Sequence, residues 1–531
     1  MFALGLRYLN GWAMAAADGA RKEQAEWPPH PDRIFMAMSA AWFESGQPED
    51  EGAALRWLEG LPPPGIRAAR ASFRCASGAT RPAVSYVPVN DAERSKKIPD
   101  GNDFGKLKDA GLSLLPEQRS RQPRTFPVAI PESPDVYLRW NSEVPQAHRA
   151  PLLSLCRKVT AVGHSASFVQ MWLEDAPPNV NWVPVSGMGA HRLRVFGPGR
   201  LDDLGRRYNR EAIIAWSEYE ISIGAAAKPK EKKMLREQQT RRFPAGRPVS
   251  LRPVPGLWQA YGKPATVEVH DNPGSLFDPR LLVLSLSGQR LTLHSTLKLM
   301  EALRGAMLKA CREPIPEWVS GHQPDGRVSA LPHVALLPLP FVDHEHADGR
   351  IMGLALALPR EIDPAEAAAH LEPWLRDSSG LPEPFALFDG TGLKCQAELE
   401  IREAPPASLR AGAWNRPSKR WASVTPVVLD RHCSGKDKWE KAAEVVKDAC
   451  ERIGLPRPMD VLLHPNSLIR GVPTAREFPY ITRKSDGGRM HHAHAVLTFE
   501  QDVQGPVLIG AGRFRGYGLC RPLPQGGVSH G

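Results

Sequence analysis

Apolar positions along the chain alternate between spacings of three or four and spacings of two, and the changes from one to the other mark out its elements. From Ser295 to Cys311 the residues Leu297, Met300, Leu303, Met307 and Cys311 recur at helical spacing, while Lys298, Lys309 and Arg312 fall on the other side. Pro31 to Ser45 reads the same way, with Ile34, Phe35, Met38, Ala41 and Trp42 on one face and a proline at the first turn, where it costs a helix nothing. Before it, residues 3–14 read as a strand; after it, 81–90 and 135–140 are extended, Leu152 to Val162 is helical and Ser167 to Glu174 closes as a strand.

The second half repeats the order. Leu281–Leu286 predicts a strand, followed by the 295–311 helix, extended runs at His333–Phe341 and Ile351–Pro359, a helix at Pro364–Leu375 capped by Asp363, and a strand at Lys394–Arg402. The order begins once more at Trp421: strand to Asp430, helix Lys438–Ile453, strands Val461–Asn466 and His492–Glu500, then a glycine-rich closing segment in place of a second helix. The expected class is α+β, built from ferredoxin-like βαββαβ units, one in the N-terminal half and two in the C-terminal half. Such a unit leaves one sheet face open, and faces of this kind bind single-stranded RNA. Between Ala225 and Arg252 charge and proline displace apolar periodicity, so the chain divides into 1–224, a basic linker at 225–260, and 261–531.

A length of 531 residues calls for more than one core, and a formal charge of +10 favours a polyanionic partner. A basic insert at about 91–126 carries Arg94, Lys96, Lys97, Lys106, Lys108, Arg119, Arg121 and Arg124, as either a solvated loop or a nucleic-acid contact. Seven cysteines without a Cys-x-x-Cys pair fit reduced thiols in a cytoplasmic protein. The N-terminal residues read as a strand rather than a signal peptide, and no run of 18 apolar residues predicts a membrane span.

The stretch with the densest chemistry is Gly505-Pro-Val-Leu-Ile-Gly510-Ala-Gly512-Arg513-Phe-Arg515-Gly516-Tyr517-Gly518-Leu-Cys-Arg521-Pro522. Glycines 510, 512, 516 and 518 permit positive φ and present no Cβ, so their amides suit phosphate oxygens. On an extended segment Arg513, Arg515 and Tyr517 share a face, which suits a strand of phosphates and bases. Arg515 occupies the place of the third glycine in a dinucleotide fingerprint, and no Gly-x-x-x-x-Gly-Lys-Ser/Thr occurs. Gly-x-Ser-x-Gly and His-Glu-x-x-His are also absent, against an α/β-hydrolase and a zinc protease.

Glu26-Trp-Pro-Pro-His30-Pro31, Gly163-His164-Ser-Ala-Ser, Ser320-Gly-His322-Gln-Pro-Asp-Gly, His346-Ala-Asp-Gly, Arg420-Trp-Ala-Ser-Val-Thr-Pro and the terminal glycine stretch together resemble the fused subunit of type I-G (formerly I-U) CRISPR-Cas systems. The resemblance implies a RAMP-type domain that holds the 5′ handle of the guide RNA, joined to a RAMP-type endoribonuclease. It implies metal-independent cleavage of precursor CRISPR RNA to a 5′-hydroxyl and a 2′,3′-cyclic phosphate, with no cofactor. The mature guide RNA then stays in an effector complex beside backbone and large subunits. Only Arg513-Phe514-Arg515 separates the two glycine elements, where the family loop has five residues.

RNA supplies its own 2′-hydroxyl nucleophile, so the protein must align the strand, move two protons and neutralise the phosphate, and histidine suits the proton transfers. His322, in a glycine-flanked loop beside Asp325, is the candidate general base. His492 and His494 lie on the strand face opposite Ala493, Ala495, Leu497 and Phe499, and are assigned to RNA contact with Lys298, Gly510, Gly512, Arg513, Arg515, Gly516, Tyr517 and Gly518. His344, His346 and Asp348 have a metal-like spacing, but further ligands are not evident and an Asp-Gly turn accounts for part of it. His333 reads as a structural histidine at the head of a buried strand, and His30 and His164 are handle contacts only through the resemblance.

Overall fold

The computed structural model describes residues 1–17, 23–74, 83–88, 102–103, 105, 121–254, 256–264, 272–378, 380–388, 390, 392–402, 404–483 and 487–524. It combines helices with antiparallel sheet, an α+β protein, in two compact units: Met1–Val185 with Arg192–Pro264, and Ser186–His191 with Ala265–Gly531. No described helix is long and apolar enough to cross a membrane.

In the first unit, β1 (Phe2–Tyr8) is followed by α1 (Pro31–Glu44), α2 (Glu49–Glu59), β2 (Gly65–Ala68), β3 (Asp135–Trp140), α3 (Gln146–Lys158) and β4 (Val169–Glu174). The sheet order is β2-β3-β1-β4, every neighbour antiparallel. One face carries Phe2, Leu4, Leu6, Ile66, Val136, Leu138 and Met171, all buried. The stretch expected to supply the second strand, 81–90, pairs as Val84–Pro88 with Arg121–Thr125 in a separate two-stranded ribbon, and Gly65–Ala68 takes its place in the sheet. Four residues between two helical and turn-rich stretches are too short for an alternation pattern to register. Arg121 and Arg124 of the basic insert lie on that ribbon; Arg94, Lys96, Lys97, Lys106, Lys108 and Arg119 fall outside the described residues.

The expected linker is also built differently. Helix α4 (Arg210–Ala225) and helix α5 (Pro229–Arg242) pair through Gln239 Nε2 donating to Glu220 Oε1 at 2.9 Å and Trp216 edge-on to Phe243, and β5 (Leu257–Gly262) joins a small sheet of the first unit. Lysines and arginines are good helix formers, so a segment without an apolar stripe still coils when a neighbouring helix lends it a contact.

The Glu26-Trp-Pro-Pro-His-Pro motif closes a buried charge network under α1. Glu26 accepts from Arg33 at 2.7 and 2.6 Å, from Arg194 at 3.0 Å and from the His30 amide at 3.1 Å, and Arg194 Nε donates to His30 Nδ1 at 3.0 Å. Despite burial, the cations around Glu26 hold its carboxyl well below the usual range. His30 is 8% exposed, so it serves the network and has no surface for a handle contact. His164 is exposed, its Nδ1 accepting from the Ala166 amide at 3.1 Å.

In the second unit, β6 (Leu282–Gly288), α6 (Thr296–Ala310), β7 (Ala335–Pro340), β8 (Ile351–Ala357), α7 (Pro364–Leu375), β9 (Phe385–Phe388) and β10 (Lys394–Leu399) give a sheet ordered β7-β8-β6-β10-β9. A second sheet uses β11 (Ser418–Ser423), α8 (Lys438–Glu451), β12 (Asp460–His464), β13 (His492–Val503) and β14 (Cys520–Pro522): β12 pairs β13, β13 pairs β11, and β11 pairs β14. Leu299, Met300, Leu303 and Met307 of α6 pack with Leu371 and Leu375 of α7 on one face of the first sheet, and α8 covers the second through Val445, Val446 and Cys450.

The remaining faces of these two sheets share one core. Ala335, Leu337, Leu339, Ala355 and Ala357 cluster with Ala422, Val424, Val428, Leu508, Tyr517 and Leu519. Among the described residues this closes the face of β7 and β8 to RNA; exposed side chains remain only toward the sheet margins, as at Lys394, Gln396 and Glu398 of β10 and Asp460 and Leu462 of β12. The apolar residues at consecutive positions of 335–339 explain why: such a strand buries both sides, whereas strict alternation would have left one wet. His494 lies within this arrangement at 2% exposure, its Nδ1 3.0 Å from Ser423 Oγ and its Nε2 3.0 Å from the Pro473 carbonyl. His492 is half-buried, with Nε2 at 2.7 Å from the Ala475 carbonyl and its ring stacked on Tyr480 at 4.6 Å. The expectation that both histidines face RNA is therefore corrected: their strand face is covered by the 465–481 segment.

Burial pushes the imidazoles of His30 and His494 down from 6.5 to about 4. In the unfolded chain each takes a proton near 6.5, so between about 4 and 6.5 the unfolded state binds more protons than the folded one. Stability is full above that window, falls as the pH drops through it and levels off below it. Thermal melts at pH 7.5 and pH 5 should show lower midpoints in acid, and His494→Gln should flatten the dependence; a pH-independent midpoint contradicts this account.

Candidate nucleic-acid interface

The glycine-rich segment is wedged between the two sheets of the second unit. Gly510, Gly516 and Gly518 have φ of +86°, +81° and +70°, and a Cβ on Gly518 would lie 1.8 Å from the Ile509 carbonyl oxygen. Gly512 abuts the Tyr517 Cβ and Gly516 abuts Met300. Amides of Ala511, Arg515, Tyr517 and Gly518 already donate to carbonyls of Val428, Gly512, Gly512 and Pro426. The space expected to admit phosphate at Gly510, Gly512, Gly516 and Gly518 is thus filled by protein. Tyr517 is fully buried, its hydroxyl donating to the Pro479 carbonyl at 2.5 Å, and does not share a face with the arginines. The segment is a turn of the inter-sheet core, where its extended reading fails.

What this wedge brings to its margin is Arg513-Phe514-Arg515, the first two half-buried and Arg515 exposed. Residue 515 bridges Leu336 of β7 in parallel, and Arg515 pairs with Glu301 on α6 at 2.5 Å. Phe514 stacks on His333, ring centroids 3.7 Å apart at 23°, with the Arg513 guanidinium 4.6 Å from its ring centre. Arg513 also donates to the Gly510 carbonyl at 3.2 Å.

The same place receives the loop after α6. A short turn at Glu317–Ser320 ends at Gly321, whose φ of +69° reverses the chain, and a Cβ there would come within 3.1 Å of the His333 ring. Ser320 then becomes a hub: its carbonyl accepts from Arg304 of α6, and from His322 Nδ1 at 2.9 Å. A tight hairpin from Gln323 to Arg327, with Asp325 accepting from the Arg327 side chain at 2.6 Å, holds His322 at the surface. A carbonyl only accepts, so Nδ1 of His322 carries a proton in this contact, and in the neutral imidazole Nε2 is the nitrogen with the lone pair.

His333 is held neutral: burial, then the Arg304 and Arg513 guanidinium groups, push its pKa from 6.5 down to about 4. Burial and Arg515 likewise lower Arg304, a sign of crowded positive charge. Lys298 lies exposed on α6, lining with Glu301 a groove of about 880 Å³. The structure thus gathers His322 and Arg513 about His333 and Arg515 beside Arg304, and sets Lys298 beside Glu301, the partner of Arg515, whereas His492 and His494 are engaged by carbonyls of the 465–481 segment. It adds Arg304, one turn beyond Met300, which sequence reasoning did not name, and His333, which reads from sequence as a structural histidine and here also lines the site. Among the described residues no group of three His, Cys, Asp or Glu side chains is arranged to hold a metal ion; His344 and His346 pack against Phe341 and each other on their turn.

An exposed imidazole beside several arginines and a stacked aromatic ring suits a phosphodiester backbone. Comparison with family models assigns the chain to the CRISPR-associated proteins. The match spans residues 12–522, nearly the whole chain, which belongs to the CRISPR-associated protein GSU0054 family. The protein therefore has its role in CRISPR-Cas defence. Comparison with curated proteins gave no match.

Proposed function

We propose that this chain is the fused RNA-handling subunit of a type I-G effector complex. Its second unit cleaves precursor CRISPR repeat RNA without a metal, and its first holds the 5′ handle of the product. The three main sheets are ferredoxin-like units in this reading, supported by a shared run of second, third, first and last strand, to which β9 adds an extra edge strand beside β10. The observation that carries the proposal is the convergence of His322, His333, Arg304, Arg513 and Arg515 on one edge of the second unit. Nε2 of His322 takes the proton of the 2′-hydroxyl as that oxygen bonds to phosphorus; the bond to the 5′-oxygen breaks, and that oxygen takes up a proton. Arg513 and Arg304 offset the charge that grows on the phosphoryl oxygens. Arg515 and Lys298 hold the adjoining backbone, and Phe514 fixes His333, a positioning residue, against the loop that carries His322.

The test is purified protein with end-labelled repeat RNA in EDTA. A single cut leaving a cyclic phosphate is the expected result. Retardation without a cut would make the chain a non-catalytic RNA-binding subunit of the complex, and loss of cutting in EDTA would make it a metal-dependent nuclease. Arg513→Ala and Arg515→Ala should each weaken binding of repeat RNA and lower the slope of log affinity against log salt by about 0.7, one phosphate contact apiece. Unchanged slopes in a filter-binding titration would remove both arginines from the interface.

A further inference from the structure

The sheet of the first unit presents a second face, away from its helices, and its composition is not that of a surface made only to be wet. Register places Arg67, Tyr137, Gly5 and Trp172 in one row across all four strands, and Gly65, Arg139, Ala3 and Glu174 in the next. Gly5 matters because a Cβ there would lie 2.3 Å from the Trp172 ring. The indole therefore occupies the space over Gly5, and Tyr137 meets it edge-on with centroids 5.8 Å apart at 86°. Both rings are half-buried, so each keeps surface in contact with solvent.

Charge surrounds this pair. Arg67 stands directly opposite Tyr137 and Arg139 lies two residues along the same strand, so the tyrosine is flanked by guanidinium groups on the same face. Arg67 and Arg139 have no ion-pair partner among the described residues, whereas Arg7 is paired to Asp135 at 2.6 Å and Glu174 accepts from the Trp172 indole at 3.4 Å. The acidic groups of the face are thus occupied and two cations are left over. Flat rings with unpaired arginines beside them fit alternating bases and phosphates of a single strand. A duplex would hide its base faces, and an acidic peptide would have no use for the rings.

We infer that the β2–β3–β1–β4 face of the first unit is a binding platform for single-stranded RNA, with Trp172 and Tyr137 stacking bases and Arg67 and Arg139 contacting the phosphates between them. The inference rests on the RNA-handling reading above only in its choice of ligand; it concerns a site distinct from the His322 edge, and it gives the first unit named residues for holding a guide.

The test uses the full chain and a fluorescein-labelled single-stranded RNA of about eight nucleotides, followed by anisotropy, with a duplex of the same sequence as control. Arg67→Ala combined with Arg139→Ala lies on the surface, and should lower affinity several-fold and the log-log salt slope by about 1.4. Tyr137→Leu with Trp172→Leu should cost about tenfold or more, while Tyr137→Phe, which keeps the ring, should bind as the native protein does. Because the leucine pair could disturb the sheet, ultraviolet crosslinking of a 5-iodouridine RNA to the native chain gives a readout without substitution: adducts at Tyr137 or Trp172 are expected. Crosslinks elsewhere only, affinities unchanged in the arginine variant, or equal binding of the duplex would each overturn the proposal, unchanged affinities marking the face as a protein-docking surface instead. Repeat-RNA cleavage measured in the same variants separates the two sites. Its absence from the native protein sinks the endonuclease reading while the binding experiment still decides the platform.

Discussion

His322→Ala should lower single-turnover cleavage of repeat RNA by about 10²–10⁴-fold, the usual worth of a positioned general base, while leaving the affinity for a 2′-deoxy, uncleavable analogue as it was. The two halves of that expectation come from different atoms. Proton transfer depends on Nε2, the lone-pair nitrogen of the neutral imidazole when Nδ1 donates to the Ser320 carbonyl at 2.9 Å. Binding depends on Arg304, Arg513 and Arg515, which are anchored on α6 and on the terminal wedge and do not need the imidazole. Cleavage persisting at the native rate would remove His322 from the reaction, and equal loss of cleavage and binding would make it a contact residue instead.

The largest expected effect on stability lies in the first unit. Asp32 is fully buried and accepts from Arg200 Nε and a terminal guanidinium nitrogen at 2.8 Å each, and from the Gly256 amide at 3.2 Å. Burial nevertheless pushes its carboxyl above the ordinary range, so desolvation outweighs what Arg200 returns. Such a pair adds little over an apolar one, but removing one partner strands the other. Asp32→Ala should cost about 3–5 kcal/mol and lower the melting midpoint of the first unit by on the order of 10 °C. Asp32→Leu with Arg200→Met should recover most of that. A single variant as stable as the native chain, followed by differential scanning calorimetry, would show that Arg200 is satisfied by its other acceptors, Asp203 and the Val254 carbonyl.

Where apolar spacing was long and regular, the sequence read well: α6, α7 and α8, the strands at 282–288, 351–357 and 394–399, and the capping of α7 by Asp363, whose carboxylate accepts from the amides of Ala365 and Glu366. Gly65–Ala68 escaped because four residues cannot establish a period. Residues 229–242 escaped because a helix held by one neighbour needs no stripe. The candidate site was half legible. His322 and the two arginines stood out by residue type, but their meeting depends on the register that sets Arg515 beside Leu336, and register is a property of pairing between distant strands. The glycines misled for a physical reason: a missing Cβ serves a close protein neighbour as readily as a ligand, and only the neighbour's position tells which.

Back-to-back burial of the two C-terminal sheets carries a consequence for how this half could be taken apart. A fragment ending near residue 402 would present Ala335, Leu337, Leu339, Ala355 and Ala357 to water, and the complementary piece would present Val424, Val428 and Tyr517. Neither is a module, so any exchange of this half between relatives has to carry both sheets and the wedge between them as one cassette.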